Sequence, residues 1–171
     1  QGGFLNLRRK WTGRGNGPCD LVGAKLIDGA PGAMFRRGDT PLDAEFAGYR
    51  FEGEAVVANY ALEDASVEIG FDVVRSEVAF GLRLDISSEC EQVVEVVLGR
   101  RAAPRIVRRG QRALVELEAI GEARCFLRSA SLVDDATPRV VVPANGGAEA
   151  ILWFPTTTSD DVVQTVLRWN E

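Results

Sequence analysis

Arg8, Arg9, Lys10 and Arg14 fall within one short stretch, with Trp11 among them and Gly13, Gly15 and Gly17 around the last. Backbone amides in a glycine-rich loop can ring an anion, and guanidinium groups add planar two-point contacts. Trp11 beside those cations could stack on a sugar or an aromatic ligand. The segment GRGNG lacks the Lys-Ser/Thr step of a phosphate loop and does not follow a strand leading into a helix. The same residues also fit a strand, Phe4–Leu7, entering a glycine-rich corner with Trp11 capping the edge of the core. Tyr49 and Arg50, in FAGYRFEGE, are the other residues suited to recognition. The candidate ligand-binding set is therefore Arg8, Arg9, Trp11, Arg14, Tyr49 and Arg50, facing a carbohydrate or an anionic ligand.

Carboxylates are the next candidates. Asp134–Asp135 and Asp160–Asp161 sit in predicted turns, and Asp39 and Asp43 flank Pro41. Clustered carboxylates can hold Ca²⁺, but the spacing fits no EF-hand, and Asp is a common turn residue because its side chain bonds nearby amides. No metal ligands are assigned. A glycosidase needs two carboxylates facing each other across a groove, which spacing along the chain does not display. Histidine is absent from all 171 residues. That removes Ser–His–Asp and Cys–His nucleophiles, imidazole metal ligands and the side chain best suited to proton transfer near neutrality. No catalytic residue and no cofactor are assigned. Cys19, Cys90 and Cys125 form no C-x-x-C pair. Three buried thiols are one reading, and one disulfide with one free thiol is another. If a bridge forms, Cys90 and Cys125 are the expected partners, since both lie in or near predicted strands.

The elements that must hold these residues are strands. In SVEIGFDVV, Val67, Ile69, Phe71 and Val73 face one way; in EVAFGLRLDI, Val78, Phe80, Leu82, Leu84 and Ile86 share a face. Further strands are predicted at Asp20–Ile27, Phe46–Glu52, Glu54–Leu62, Val93–Leu98, Arg105–Arg108, Ala113–Ile120, Ala123–Leu132, Arg139–Val142, Glu149–Phe154 and Val162–Trp169. Turn signals fall at 52–54, 108–110, 120–122 and 145–147, with a longer loop region over 30–32 and 36–41. A short helical turn is expected near Pro41–Phe46. Tyr49 and Phe51 share a face, and Tyr60 lies across the hairpin, a pattern of cross-strand aromatic packing. Arg168 beside Trp169 reads as a structural cation–π or ion-pair partner. Many short strands with frequent turns predict an all-β fold, an antiparallel β-sandwich of jelly-roll-like or Greek-key kind, in a single domain over 1–171. The length suffices for one self-supporting core.

Charge narrows the partners. Lys and Arg total 20 against 25 Asp and Glu, a net charge of −5. A surface for nucleic acid would normally carry a basic excess, so no nucleic-acid partner is expected. No apolar run approaches the roughly 20 residues that span a bilayer, so no membrane span is expected. The chain starts at Gln1 without a methionine, as a processed product or an excised domain would.

Several segments together resemble a known setting. GGFLNLRRKWTGRG near the start, FAGYRFEGEAVVANYAL after a proline-containing loop, then ASVEIGF, and a last strand ending in RWN occur in an order similar to that of a β-rich module in large secreted bacterial proteins. Those proteins also carry a c-type haem domain and often a sugar-dehydrogenase-like propeller. The resemblance implies an extracytoplasmic, periplasmic or secreted β-sandwich tied to redox or carbohydrate catabolism, with other domains or subunits of a larger protein as partners. It carries no haem site across, because no C-x-x-C-H occurs here. EAVVANYAL also departs from the more aromatic strand of the module. The expected function is a non-catalytic binding or docking module. The alternatives are a structural assembly subunit, shell- or capsid-like, and a histidine-free carbohydrate-active enzyme working through carboxylates.

Overall fold

The computed structural model describes residues 33–63, 65–133, 137–157 and 161–169, with 103–106 described by their backbone alone. The predicted strands at 4–7 and 20–27, and Asp134, Asp135 and Asp160, lie outside the described residues. Among those described, the chain forms β1 (Phe35–Arg37), β2 (Thr40–Leu42), β3 (Ala44–Glu52), β4 (Ala55–Leu62), β5 (Ser66–Arg75), β6 (Ala79–Ser88) and β7 (Val94–Val97). It continues with β8 (Arg101–Arg109), β9 (Arg112–Leu117), β10 (Cys125–Ser129), β11 (Leu132–Val133), β12 (Arg139–Val142), β13 (Gly147–Pro155) and α1 (Asp161–Arg168). The fold is all-β apart from that one short helix, and every strand pair is antiparallel.

A large sheet has the order β3-β4-β5-β6-β13-β10-β9-β8, and a small one has β11-β12-β7-β1-β2. The large sheet joins two meanders where β13 pairs with β6 over nine residues. In the small sheet β7 returns by a long connection to lie beside β1 rather than β2, the non-sequential return that Greek keys use. Period-two alternation sends Val67, Ile69, Leu84, Ile86, Val115 and Leu127 toward Phe35, Val94, Val96, Val140 and Val142 of the small sheet, and these form one buried cluster. The side of the large sheet facing the small one is its inner face.

The outer face of the large sheet is apolar near its centre too. Val74, Leu114, Phe126, Ile151 and Trp153 pack there against Val162, Val166 and Leu167 of α1. Trp153 and Trp169 meet edge-to-face at 5.3 Å. Val162–Trp169 was expected as a strand, and this is corrected: Val162, Val163, Val166 and Leu167 repeat at helical spacing. Only eight residues carry the pattern, too few for an eleven-residue window, and three are valines, which bias a reading toward strand.

Two arginines hold α1 by its carbonyl end. Arg128 is 4% exposed. Its Nη1 donates to Val166 O at 3.0 Å and Trp169 O at 2.9 Å. Arg112 Nη1 reaches Leu167 O at 3.4 Å. Cations at a helix C-terminus meet the negative end of its dipole. Burial, and then the neighbouring Arg112, pull the Arg128 pKa below its ordinary value, while Glu149 opposes them. The guanidinium over the Trp169 ring also belongs to Arg128, at 5.4 Å, in place of the expected Arg168.

Three more expectations are corrected. Ala123–Leu132 is not one strand: a turn at 130–131 sends β10 to the large sheet and β11 to the small one. The helical turn near Pro41–Phe46 is absent, because β2 pairs with β1 through Pro41↔Arg36 and β3 starts at Ala44. Pro41 is tolerated because β2 is an edge strand. The loop expected over 36–41 is itself the β1–β2 hairpin.

Gly81 faces α1 from the centre of the large sheet. A Cβ there would come within 2.7 Å of Val74 and 3.0 Å of both Ile151 and Trp153. Gly81→Ala is expected to lower stability by about 1–3 kcal/mol through overpacking, read as a lower urea midpoint with an unchanged m-value. Arg128→Met removes two charged hydrogen bonds to α1 and should cost about 1.5–3 kcal/mol. Its signature is faster amide exchange over 161–169, with β5 and β6 unchanged.

Candidate ligand-binding face

The two sheets differ in width. At about 4.8 Å per strand spacing, eight strands span about 34 Å and five span about 19 Å. The small sheet therefore leaves part of the inner face open. At the β3 end, among the described residues, the ring of Tyr60 on β4 meets Phe35 of β1 edge-to-face at 5.1 Å. Beyond it, β3 is exposed along nearly its whole length.

The open part is apolar. Tyr49 pairs with Ala58, and Ala58 with Ile69; Phe51 pairs with Val56, and Val56 with Phe71. Directly paired residues share a face, so Tyr49 and Phe51 point the same way as the core residue Ile69. Yet Phe46, Tyr49, Phe51 and Val73 are 57%, 57%, 56% and 56% exposed. Tyr49 and Phe51 pack edge-to-face at 5.7 Å, and Phe46 meets Tyr60 at 5.8 Å. A shallow depression of about 440 Å³ continues the face past Val73, lined by Arg75, Glu77, Phe80 and Thr156. Exposed aromatic rings beside polar rims are suited to stacking on flat, partly apolar ligands.

Tyr49 and Arg50 were expected in one binding set, and successive strand residues point to opposite faces. Arg50 lies on the outer face, already engaged. Its Nη1 and Nη2 donate to both oxygens of Glu68 at 2.7 and 2.8 Å, and its Nε donates to Glu52 at 2.8 Å. The Glu68 bond, then Glu52, raises the Arg50 pKa above its ordinary value, and Arg50 holds the Glu68 carboxyl below the usual range. A guanidinium with both edges occupied has little left for an anion. Arg8, Arg9, Trp11 and Arg14 lie outside the described residues. Alternation alone puts Tyr49 and Phe51 on one face, a pattern that also fits ordinary cross-strand packing, and of the two only Tyr49 belongs to the expected ligand set. Phe46 and Val73 went unflagged, because alternation marks a face without saying whether anything covers it.

Among the described residues no group of three or more Asp, Glu or Cys is arranged to hold a metal ion. Asp39 is fully exposed and lies 3.9 Å from Arg139, which is anchored on Glu95 at 2.8 Å and on Gly38 O at 2.9 Å. Cys90 and Cys125 are free and buried, so of the two readings left open the structure has these two as buried thiols, each a small apolar residue of the core. Burial, and then Glu116, pushes the Cys125 thiol up to about 12.

Comparison with protein-family models, with curated proteins and with solved structures finds no match. Described on its own terms, the site is an open aromatic sheet face with an ion-paired reverse side.

A raised thiol pKa means the folded state favours the neutral form. That contribution is complete below the ordinary value of 9.0 and is lost as pH rises toward about 12. In a Cys19→Ser background at neutral pH, iodoacetamide is expected to spare Cys90 and Cys125 in the native chain and to modify both after denaturation. Modification of Cys125 in the native chain would contradict this burial.

Proposed function

We propose that this chain is a non-catalytic binding or docking module, and that its ligand-facing surface is the open inner face around Tyr49 and Phe51. One observation carries the reading: apolar side chains on the core-facing side of a sheet stand more than half exposed. A fold gains nothing from leaving such a face wet, and contiguous exposed apolar surface of this kind marks interaction sites. Carbohydrate suits it, since sugar rings present flat C–H faces to aromatic side chains. The ordered similarity of GGFLNLRRKWTGRG, FAGYRFEGEAVVANYAL and ASVEIGF to a module of exported bacterial proteins supports a setting in a larger extracytoplasmic protein linked to redox or carbohydrate catabolism.

The enzyme reading has less support. A general acid at a glycosidic bond needs a raised carboxyl pKa, and Arg50 moves Glu68 in the opposite direction.

The test is binding to a glycan panel by the full chain. Tyr49→Ala and Phe51→Ala should each weaken the bound glycan by about tenfold or more, equivalent to about 1.4 kcal/mol. Both residues are exposed enough that the urea midpoint should hardly move. Unchanged binding in both variants would refute the assignment of this face. A large closed particle in light scattering would instead favour an assembly subunit. The setting is tested by the reading frame that encodes the chain: a c-type haem or propeller segment in the same frame supports it, and a frame closing around this chain alone overturns it.

A further inference from the structure

Among the described residues β3 and β8 form the two edges of the large sheet. A sheet edge offers unpaired backbone groups to another strand, and proline and like charges guard against such pairing. β8 carries both guards in its sequence: Pro104, which has no N–H, and Arg101, Arg105, Arg108 and Arg109. β3 contains no proline, and Arg50 is its single cation. Its one irregularity is the bulge between Phe46 and Gly48, where Gly48 takes φ +129°. Gly48–Glu52 pairs regularly with β4 and is the usable edge. The turn beyond it fixes which groups point outward. Gly53 and Glu54 form a two-residue turn, with Gly53 at φ +63° and Glu52 paired to Ala55. The pair flanking such a turn exchanges backbone hydrogen bonds, and bonding then alternates along an antiparallel ladder. Glu52 and Arg50 therefore bond to β4, while Tyr49 and Phe51 direct their N–H and C=O away from it.

We propose that Gly48–Glu52 pairs antiparallel with the same stretch of a second copy of this chain, about a two-fold axis at Arg50, joining the two large sheets into one. The stretch is self-complementary in that register. Tyr49 of each copy lies opposite Phe51 of the other, and both residues of each pair point their backbone groups across the junction. Opposed aromatic side chains are among the favourable cross-strand pairs. On the outer side Glu52 lies opposite Gly48, which has no side chain, and diagonal to Arg50 of the other copy, a separation that long side chains span. The two Arg50 groups meet across the axis, and each is held by its own Glu68 at 2.7 and 2.8 Å. Carboxylates thus flank both cations on either side.

Neighbouring registers are poorer. A slip of one residue sets the aromatic side of one copy against the charged side of the other. Centring on Phe51 leaves Tyr49 opposite the turn residue Gly53, and centring on Tyr49 runs Phe51 into the bulge. A two-fold junction uses the same edge of both copies and so closes at a dimer. This goes beyond the reading above and stands without a glycan. Where the face does bind one, the junction brings Tyr49 and Phe51 of both copies onto one continuous surface, so the second copy contributes half of the site.

Sedimentation of the full chain over a range of concentrations, with hydrogen exchange, tests this. The chain should form a dimer in which the Tyr49 and Phe51 amides are protected, and that protection should fall on dilution. Phe51→Pro removes an outward N–H and no bond to β4, and should raise the dimer dissociation constant by about tenfold or more. In a Cys19→Ser background, Arg50→Cys should be captured by diamide as a disulfide-linked dimer, because directly opposed residues hold their Cβ atoms about 4.5–5.5 Å apart. Slow exchange of the β13 amides reports that each variant still folds. A chain that stays monomeric up to about 1 mM overturns the proposal. So does a dimer that Phe51→Pro leaves equally tight, or one that Arg50→Cys does not capture. Protected Tyr49 and Phe51 amides in a monomer also overturn it, since another part of the chain would then hold the edge. The glycan panel separates the two readings. A dimer whose binding is indifferent to Tyr49→Ala keeps the junction and removes the binding face, and glycan binding by a monomer removes only the junction.

Discussion

Strand β13 is dry on both faces, and that condition sets the order of layers. Ala150, Leu152 and Phe154 point into the space between the sheets, while Ile151 and Trp153 point away from it. A strand apolar on both sides has to be covered twice. The small sheet supplies one cover and α1 the other. Arg128 and Arg112 pin α1 there, so the second layer depends on cations placed at a helix end as well as on apolar contact. Gly81 pairs with Val74 of β5 and Trp153 of β13 beneath α1, and their side chains with Ile151 fill the space a Cβ would need.

That central requirement fades toward the edges. At β3 no element of the described residues lies outside, and Arg50 forms its fork to Glu68 at an exposed position, where ion pairs contribute little to stability. The inner side of β3 keeps the apolar character of the core although the small sheet stops short of it. The open face is thus the margin of a core built for a wider cover. Its aromatic content is a continuation of the packing pattern, and its exposure follows from the narrower second sheet.

The sequence made β5, β6 and β12 legible because each alternates cleanly and each is long enough, or sufficiently rich in β-branched residues, for period two to stand out. It misled at α1, where eight residues with three valines carry a helical stripe too short to register. It also joined β10 to β11, since both halves of Ala123–Leu132 are apolar and the change of sheet happens at two small residues, Ala130 and Ser131. β1 and β2 were hidden by arginine, proline and turn residues. The strand character of β1 comes from pairing with β7, a partner more than fifty residues away that no local window samples, and β2 in turn pairs with β1.

The candidate site was half legible for the same reason. Alternation placed Tyr49 and Phe51 together and, applied strictly, already separated Tyr49 from Arg50. What a one-dimensional pattern cannot carry is the extent of the covering layer, and that quantity turns a packed aromatic pair into an exposed one. Arg50 shows the converse. Its neighbours in sequence make it look available, but Glu68 reaches it from β5, two strands away through β4. Whether a cation is available for a ligand is decided by strand order, and strand order is a property of the whole fold.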